Sequence, residues 1–334
     1  MRISLIVPIY NVKQYFAEFI DAVYRQTYKD FQVVLVDDGS DDGTEKLVDA
    51  CASDPRCKII HKENGGVVSA WKRGAMEADG DFLAFADPDD IPDDTMIEHF
   101  QEILLRDDPD MIVAGYYDMY PDRTIRQPPA LKPVENRLYT GRELDGIKKN
   151  LFGNASDKQK FFLFFRWNKM IRKNIFMDNL VWSDNRVRFG EDVCATAAAV
   201  YDSKSIYFTD VPVYYYRRRA DSLTTVSFNT AEMENAVILL AAIEKLLTEK
   251  GYWNAFVRYK EQAWHIVYLL RKIIDGKAPA KAKKENLALL KRHTLVRDFD
   301  RKAAKPYITP KQYYAITALK SKLYPLLLAL GKKN

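Results

Sequence analysis

The sequence contains little cysteine and little histidine, three and four residues among 334. Cys51, Cys57 and Cys194 are odd in number, and neither they nor the histidines follow the spacing of a metal site. A disulfide framework and a thiolate–zinc site are therefore disfavoured, and we expect reduced thiols. The scattered histidines are His61, His99, His265 and His293.

Long apolar runs are also missing. The first residues, MRISLIVPIYNV, contain an apolar stretch that is too short for a signal peptide and has no small-residue cleavage site. No stretch reaches the length of a membrane-spanning helix. We therefore expect a cytoplasmic protein, in which 47% apolar and 13% aromatic residues are ample for a packed core.

The net charge of +5 is unevenly distributed along the chain. Residues 277–334 carry 15 Lys and Arg against Glu285, Asp298 and Asp300, a net of +12, which leaves −7 on residues 1–276. An acidic body with a basic tail predicts that the tail contacts an anionic surface, either nucleic acid or lipid.

The first 120 residues alternate short apolar runs with amphipathic stretches. The runs are rich in branched and aromatic residues, which predicts buried strands, and the stretches between them have helical spacing. This alternation predicts an α/β fold in which a mostly parallel sheet carries helices on both faces. The predicted strands are 3–10, 31–38, 57–62, 82–87 and 111–117, and the predicted helices lie within 15–27, 44–53, 67–78 and 93–105.

Acidic residues mark the ends of two predicted strands. VDDGSDDGT ends the strand at 31–38, and DPDD ends the strand at 82–87. Because ligands bind outside the carboxyl ends of parallel strands, both clusters should lie at one edge of the sheet. Asp87 and Asp89 can supply the one or two carboxylates that Mg²⁺ or Mn²⁺ takes alongside substrate phosphates. An ordinary polar turn is the alternative.

A further acidic pair, Glu191 and Asp192, lies at the start of a helix predicted within 189–203. Carboxylates are favoured in the first turn by the helix dipole, so an ordinary helix cap is one interpretation. The other is a general base that takes a proton from an attacking hydroxyl. The residues taken alone favour the cap.

The rest of the chain is predicted to form a strand pair, 205–210 and 211–219, and then helices from about Thr230. The tail should begin with Thr309 as N-cap and Pro310 in the first turn, with a kink at Pro325. Its apolar stripe fits an anionic membrane interface, the preceding helices or a dimer contact equally well. The stripe comprises Tyr313, Ile316, Leu319, Leu323, Leu327 and Leu330.

Six motifs occur in order along the chain: SLIVPIYN, VDDGSDDGT, GDFLAFADPDD, WNKMIRKNIF, FGEDV and VYYYRRRADSLT. In sequence, order and spacing they resemble the motifs of glycosyltransferase family 2, the inverting bacterial enzymes with the GT-A fold. The resemblance implies a Rossmann-like GT-A catalytic domain at 1–225, with a nucleotide-sugar-binding half at 1–118 and an acceptor-side half at 119–225. A helical region at 226–334 would follow it.

The resemblance also implies roles for individual residues. Asp89 would be the direct ligand of Mn²⁺ or Mg²⁺, and Asp87 would contact the ribose and the metal. Asp192 would be the general base beside Glu191. With the resemblance added, the general-base interpretation is favoured over the helix cap. Asp38 would accept a hydrogen bond from the uracil imide. The other implied donor-binding residues are Pro8, Tyr10, Arg217, Arg219 and Ser222.

One position departs from the family pattern. Many relatives carry Ala-Arg-Asn where this chain has Trp71 and Lys72, so Lys72 or Arg73 would have to replace the arginine near the phosphates. Trp167 and Lys169 are expected to organise packing beneath the acceptor side. The family's processive motif, glutamine, two residues, arginine and tryptophan, is missing, so the addition of a single sugar is expected.

The resemblance thus implies transfer of a hexosyl or N-acetylhexosaminyl group from a UDP-sugar. The acceptor would be a capsule, teichoic-acid or cell-wall polysaccharide or its lipid-linked precursor, and the tail would contact the inner face of the cell membrane. The sequence does not decide whether the chain forms a homo-oligomer. The alternative is a non-catalytic Mg²⁺-binding module or a basic-tailed nucleic-acid binder, although the interleaved leucines of the tail fit nucleic acid poorly.

Overall fold

The computed structural model describes residues 1–154, 156, 159–161, 164–218 and 228–330. These residues form two compact units. The first comprises Met1–Leu151 and Phe161–Arg218, and the second comprises Phe152–Lys160 with the described part of Arg219–Asn334. The predicted domain boundary after residue 225 falls outside the described residues, so that division stays a prediction.

The first unit is built on a ten-stranded sheet. Its longest ladders, β1 with β2 and β6 with β10, are parallel. The order along the sheet is β3-β2-β1-β4-β9-β6-β10-β5, with β7 paired to β6 and β8 paired to β10. The strands are β1 (Ile3–Ile9), β2 (Phe31–Asp37), β3 (Cys57–His61), β4 (Phe82–Phe85), β5 (Ile91–Pro92), β6 (Met111–Met119), β7 (Thr124–Gln127), β8 (Arg137–Thr140), β9 (Lys169–Arg172) and β10 (Ser205–Arg217).

Helices cover both faces of this sheet, as the alternation predicts. Leu5 and its strand neighbours on one face pack in a core with the apolar sides of α1 and α4. On the other face, α3 approaches β1 so closely that a Cβ at Gly74 would lie 2.5 Å from Ile6. The helices of the unit are α1 (Lys13–Arg25), α2 (Thr44–Ala50), α3 (Val67–Glu77), α4 (Met96–Asp107), α5 (Gly141–Lys149), α6 (Lys173–Asp178) and α7 (Asp192–Asp202).

The predicted strand pair at 205–219 is wrong, because β10 runs without a turn from Ser205 to Arg217. Its register against β6 jumps between Thr209 and Pro212, which indicates a bulge. A bulge accommodates Pro212, since proline has no N–H to donate to a ladder. Gly115 of β6 lies against this bulge, and a Cβ there would come within 2.8 Å of the Asp210 carbonyl oxygen.

The second unit is helical, with an apolar core of its own. The segment Phe152–Lys160 belongs to this unit, which the sequence did not indicate. An ion pair links this segment to the helices of the unit: Lys160 Nζ lies 2.9 Å from the buried carboxylate of Glu261. The helices are α8 (Ala231–Glu249), α9 (Ala255–Asp275), α10 (Ala280–Arg292), α11 (Thr294–Arg297), α12 (Arg301–Ala304), α13 (Pro310–Lys320) and α14 (Tyr324–Leu330).

The tail begins as predicted but does not form one kinked helix. Thr309 caps α13 through a reciprocal capping box with Gln312. The chain then leaves the helix through Lys322, whose φ is +61°, and Pro325 falls in the first turn of α14. Proline is tolerated there because the first N–H groups of a helix have no intrahelical partner.

The apolar stripe of the tail is divided between the core and the surface. Of its members, Ile316, Leu319 and Leu327 are buried with α9 and α10, whereas Leu323 is 49% exposed; Leu326, which is not part of the stripe, is 56% exposed. Packing on the preceding helices therefore accounts for part of the stripe. Within the described ranges, no helix combines the length and apolarity needed to cross a bilayer.

Candidate active site

Four of the predicted donor-binding residues lie near the ends of β1, β2 and β4, which are parallel: Pro8, Tyr10, Asp38 and Asp87. Pro8 is buried within β1, in register with Val36. Tyr10 follows β1 and is exposed, so its ring is available to a ligand. Asp38 follows β2, and its N–H donates to the Ile9 carbonyl at 2.8 Å.

Asp38 is buried and already holds the segment that leads into α3. The N–H groups of Gly65 and Gly66 donate to its carboxylate at 3.0 and 2.7 Å, and Lys62 forms an ion pair with it. Gly66 has a φ of +84°, a conformation that favours glycine. A carboxylate has about four acceptor sites, so these contacts leave room for a further donor.

Hydrogen bonds hold the turn that carries Asp87 and Asp89 against β10. Tyr214 is fully buried, and its hydroxyl oxygen accepts from the Asp87 N–H at 2.8 Å. Arg217 donates its backbone N–H to Asp90 at 2.7 Å and its Nε to the Asp89 carbonyl at 2.9 Å. Arg217 therefore lies beside the predicted metal ligands, where it holds the turn.

Glu191 and Asp192 lie at the start of α7, directly after Gly190, whose φ is +77°. Arg166, which precedes β9, forms an ion pair with Asp192, and its Nη1 is 4.0 Å from Glu191 Oε1. Arg166 is only 3% exposed. The guanidinium therefore meets two carboxyl groups that are themselves mostly buried.

Asp87, Glu191 and Asp192 form a group that we call the acidic cluster. Burial raises the pKa of Asp87 to about 7, with Arg166 opposing the shift and Asp89 and Asp192 adding to it. Burial and the charge of Asp192 raise the pKa of Glu191 to about 8. Burial also raises the pKa of Asp192, while the positive charge of Arg166 lowers it. These mutual effects mean that residues from distant segments lie close together.

A divalent cation fits this arrangement only if a bound ligand supplies part of its coordination. Among the residues that the structure describes, no group of three His, Cys, Asp or Glu side chains is arranged to hold a metal. The charge of Asp89 nevertheless helps to raise the pKa of Asp87, as a second carboxylate at one cation site would. Mg²⁺ and Mn²⁺ commonly use one or two carboxylates and complete their coordination with substrate phosphates. The donor set therefore fits a metal that arrives with a diphosphate.

The chain departs from the family's Ala-Arg-Asn pattern at Trp71, Lys72 and Arg73, and these three side chains have different surroundings. Trp71 is fully buried in the core. Lys72 Nζ donates to the Ser183 carbonyl at 2.5 Å and to Asn185 Oδ1 at 3.1 Å. Arg73 lies half exposed on α3 and pairs with Glu77 at 3.0 Å. The predicted role of Arg73 near phosphates stays a prediction, whereas Arg166 pairs with Asp192 of the acidic cluster.

Two site residues were missed by sequence reasoning. Arg166 interrupts the apolar run FFLFFRW, and a lone charge among apolar residues was the available signal. Tyr214 had no such signal, because it is one of three successive tyrosines. Trp167 and Lys169 are buried, as the packing role requires. The predicted Arg219 and Ser222 lie outside the described residues.

Comparison with known proteins identifies the family of this chain. Residues 4–180 match the profile of Glycosyl transferase family 2. The uncharacterized glycosyltransferase EpsJ of Bacillus subtilis (strain 168) is 30% identical over 234 residues, which cover 70% of this chain and 66% of EpsJ, just under two thirds. The chain belongs to glycosyltransferase family 2, and the predicted family and enzyme class are confirmed.

Two solved structures show the same fold at low sequence identity. S. aureus TarS 1–349 in complex with UDP-GlcNAc has a TM-score of 0.68 and 16% identity, covering 100% of this chain and 92% of TarS. The mannosyltransferase PcManGT of Pyrobaculum calidifontis, in complex with GDP-Man and Mn²⁺, has a TM-score of 0.50 and 16% identity, with coverage of 100% and 88%. The predicted fold class, an α/β sheet domain with a C-terminal helical region, is confirmed.

Proposed function

We propose that this chain is an inverting glycosyltransferase that moves one sugar from a UDP-sugar to an acceptor hydroxyl. The observation that carries the proposal is the acidic cluster, in which Asp87 at the end of β4 lies near Glu191 and Asp192 at the start of α7. Concentrating buried carboxylates is unfavourable for stability, so such clusters are characteristic of functional sites.

In the proposed reaction, Asp192 accepts the proton of the acceptor hydroxyl while that oxygen attacks C1 of the sugar. The bond from C1 to the diphosphate breaks at the same time, and its electron pair leaves with the nucleotide. Attack opposite the leaving group inverts the configuration at C1. The start of α7 holds Asp192 mostly buried, where a carboxylate is a stronger base than in water.

The donor is proposed to lie along the edge formed by Tyr10, Asp38 and Asp87. The exposed Tyr10 ring would face the base, and Asp38 would accept from the uracil imide beside the Gly65 and Gly66 donors. TarS, which has this fold, was solved with UDP and with UDP-GlcNAc, which favours a uridine donor.

Asp89, together with Asp87, would hold Mn²⁺ or Mg²⁺. When bound, the cation would neutralise negative charge on the departing diphosphate. PcManGT was solved with Mn²⁺ and GDP-Man, which favours a metal-bound donor. Arg217 supports this turn from β10 through the Asp89 carbonyl.

The first experiment is a thermal-shift and nucleotide-release panel of UDP-glucose, UDP-galactose, UDP-GlcNAc and GDP-mannose, with and without Mn²⁺. We expect one UDP-sugar with Mn²⁺ to raise the melting temperature most, since ligand at 100 times its dissociation constant stabilises by about 2.7 kcal/mol. The same donor should release nucleotide when acceptor is supplied.

Asp89→Asn should remove the Mn²⁺-dependent part of this shift. Asp94→Asn is the matched control, because Asp94 lies a few residues further on and pairs with Arg25 at 3.1 Å on the surface. No stabilisation and no nucleotide release with any of the four donors would contradict the proposed function.

The acceptor is proposed to be a cell-surface polysaccharide or its lipid-linked precursor, reached through peripheral contact of the tail with an anionic membrane. Leu323 and Leu326 are half exposed, and the exposed lysines Lys311 and Lys322 lie on the same 309–330 segment. Exposed leucines beside lysines suit an interface that is both apolar and anionic.

We expect cosedimentation with vesicles of phosphatidylglycerol and phosphatidylcholine, and little with phosphatidylcholine alone. Replacing Leu323 and Leu326 by Gln should weaken binding about tenfold or more, since burying one leucine contributes about 1.5–3 kcal/mol. Leu105→Gln, at a leucine of α4 that is 70% exposed, should not change binding. Equal binding by the tail variant and wild type would contradict the membrane contact.

A further inference from the structure

Arg166 is a permanently charged side chain in an almost solvent-free position. A buried guanidinium is tolerated only when charged or polar partners replace its water. Its carboxylate partner is Asp192, with Glu191 Oε1 at 4.0 Å. The ion pair therefore distinguishes two neighbouring acids, one in direct contact with the cation and the other further away.

Aromatic rings fix the guanidinium in this place. Its central carbon lies 5.1 Å from the centroid of the Trp71 ring and 5.8 Å from that of Phe85. Both rings also pack against Phe176, with centroid distances of 5.4 and 4.9 Å. Cations are attracted to ring faces in this way. Arg166 thus has a rigid support on one side and the carboxyl group of Asp192 on the other.

A second cation whose charge acts on Asp192 is Lys169, which is fully buried. Its Nζ donates to the Phe165 carbonyl at 2.6 Å and to Asn168 Oδ1 at 2.7 Å. Burial lowers the pKa of Lys169 to about 7, although Asp192 opposes the shift. Lys169 is therefore only partly charged near neutral pH, whereas Arg166 keeps its charge. Asp87 and Glu191 are further acids near Arg166, whose charge lowers the pKa of each.

We infer that Arg166 is a positioning residue that selects Asp192 over Glu191 as the general base. It does so by pairing with the Asp192 carboxylate and orienting it from the support formed by Trp71 and Phe85. The inference rests on the proposed transfer reaction and assigns to it a residue that the motifs do not contain. In this chain, tryptophan stands where relatives carry the Ala-Arg-Asn triplet, and that tryptophan supports an arginine from another segment.

The test compares Arg166→Met and Arg166→Lys with wild type over a range of pH. A base works only when ionised, so the acidic limb of kcat reports its pKa. Loss of a neighbouring cation should raise that pKa by about 1–3 units and move the limb to higher pH. We expect kcat of Arg166→Met at neutral pH to fall about 100-fold with a much smaller change in donor KM. Arg166→Lys should recover much of the loss.

Arg172→Met is the matched control. Arg172 also pairs with two acids, Asp108 and Asp110, and its guanidinium lies 4.6 Å from the Phe82 ring centroid. This variant should lose stability without moving the acidic limb. If Arg166→Met kept the wild-type limb and only melted earlier, Arg166 would be structural and the inference would be wrong.

A second readout does not depend on activity. Carboxyl ¹³C NMR, with Asp192 assigned through Asp192→Asn, should show wild-type Asp192 ionising below Glu191. In Arg166→Met, Asp192 should ionise at clearly higher pH. An unchanged Asp192 titration would overturn the inference even in an active enzyme. Failure of wild type to transfer sugar from any donor would instead overturn the proposed function, while the NMR titration would still decide the role of Arg166.

Discussion

Asp192→Asn should lower kcat for sugar transfer by about 10²–10⁴-fold, the usual contribution of a general base. Asparagine has nearly the same shape as aspartate and still accepts a hydrogen bond from Arg166, but it cannot take the proton of the acceptor hydroxyl. Donor KM should change little, because Asp192 acts on the acceptor. The measurement is initial-rate kinetics with the donor identified by the thermal-shift panel.

Two control variants distinguish loss of the general base from loss of a neighbouring acid and from a general loss of stability. Glu191→Gln should lose much less activity, because burial and the charge of Asp192 raise the pKa of Glu191 and disfavour the ionised form that a base needs. Asp110→Asn breaks another arginine–aspartate pair, with Arg172 at 3.0 Å, and should affect stability alone. Full activity of Asp192→Asn, or equal losses for Asp192→Asn and Glu191→Gln, would contradict the assignment of the base.

Trp71→Ala should produce the largest loss of stability. Trp71 is fully buried, packs edge-on against Phe176 and supports the guanidinium of Arg166. Truncating a buried tryptophan costs about 3–5 kcal/mol, because a cavity replaces the ring. The measurement is urea unfolding followed by far-ultraviolet circular dichroism, where the midpoint should fall markedly.

Met76→Ala is the control for this change, because Met76 lies on the same helix, α3, and is 56% exposed. It should change the free energy of unfolding by at most about 0.5 kcal/mol. Trp71→Phe keeps an aromatic face for Arg166 and should cost less than alanine. If Trp71→Ala unfolded at the same urea concentration as Met76→Ala, the packing and cation–aromatic account of α3 would be wrong.

The predicted elements of the first 120 residues agree with the structure because their signals are local. Ile3–Ile9 and Phe31–Asp37 are predominantly apolar, and every residue in them is buried, as strands covered on both faces require. The helix within 67–78 is observed at Val67–Glu77. Parallel pairing then brings Tyr10, Asp38 and Asp87 to one edge.

Elsewhere the local signals did not decide the structure. The predicted strand pair was divided after Asp210, but pairing with β6 on both sides of the bulge makes β10 one strand. Pro325 suggested a kink, but the chain leaves α13 earlier and starts a new helix, because Leu327 can then be buried in the helical core. Long-range packing overrides local preference where the two compete.

The sequence by itself determined the family, the strands and helices predicted in the first 120 residues, and the candidate carboxylates, because each is encoded in a short motif or in periodicity. Only the tertiary structure decided that Arg166 meets Asp192 and that Trp71 supports it. It also decided that Phe152–Lys160 belongs with the helices. Such contacts depend on the free energy of the whole packed chain, which no local window of sequence contains.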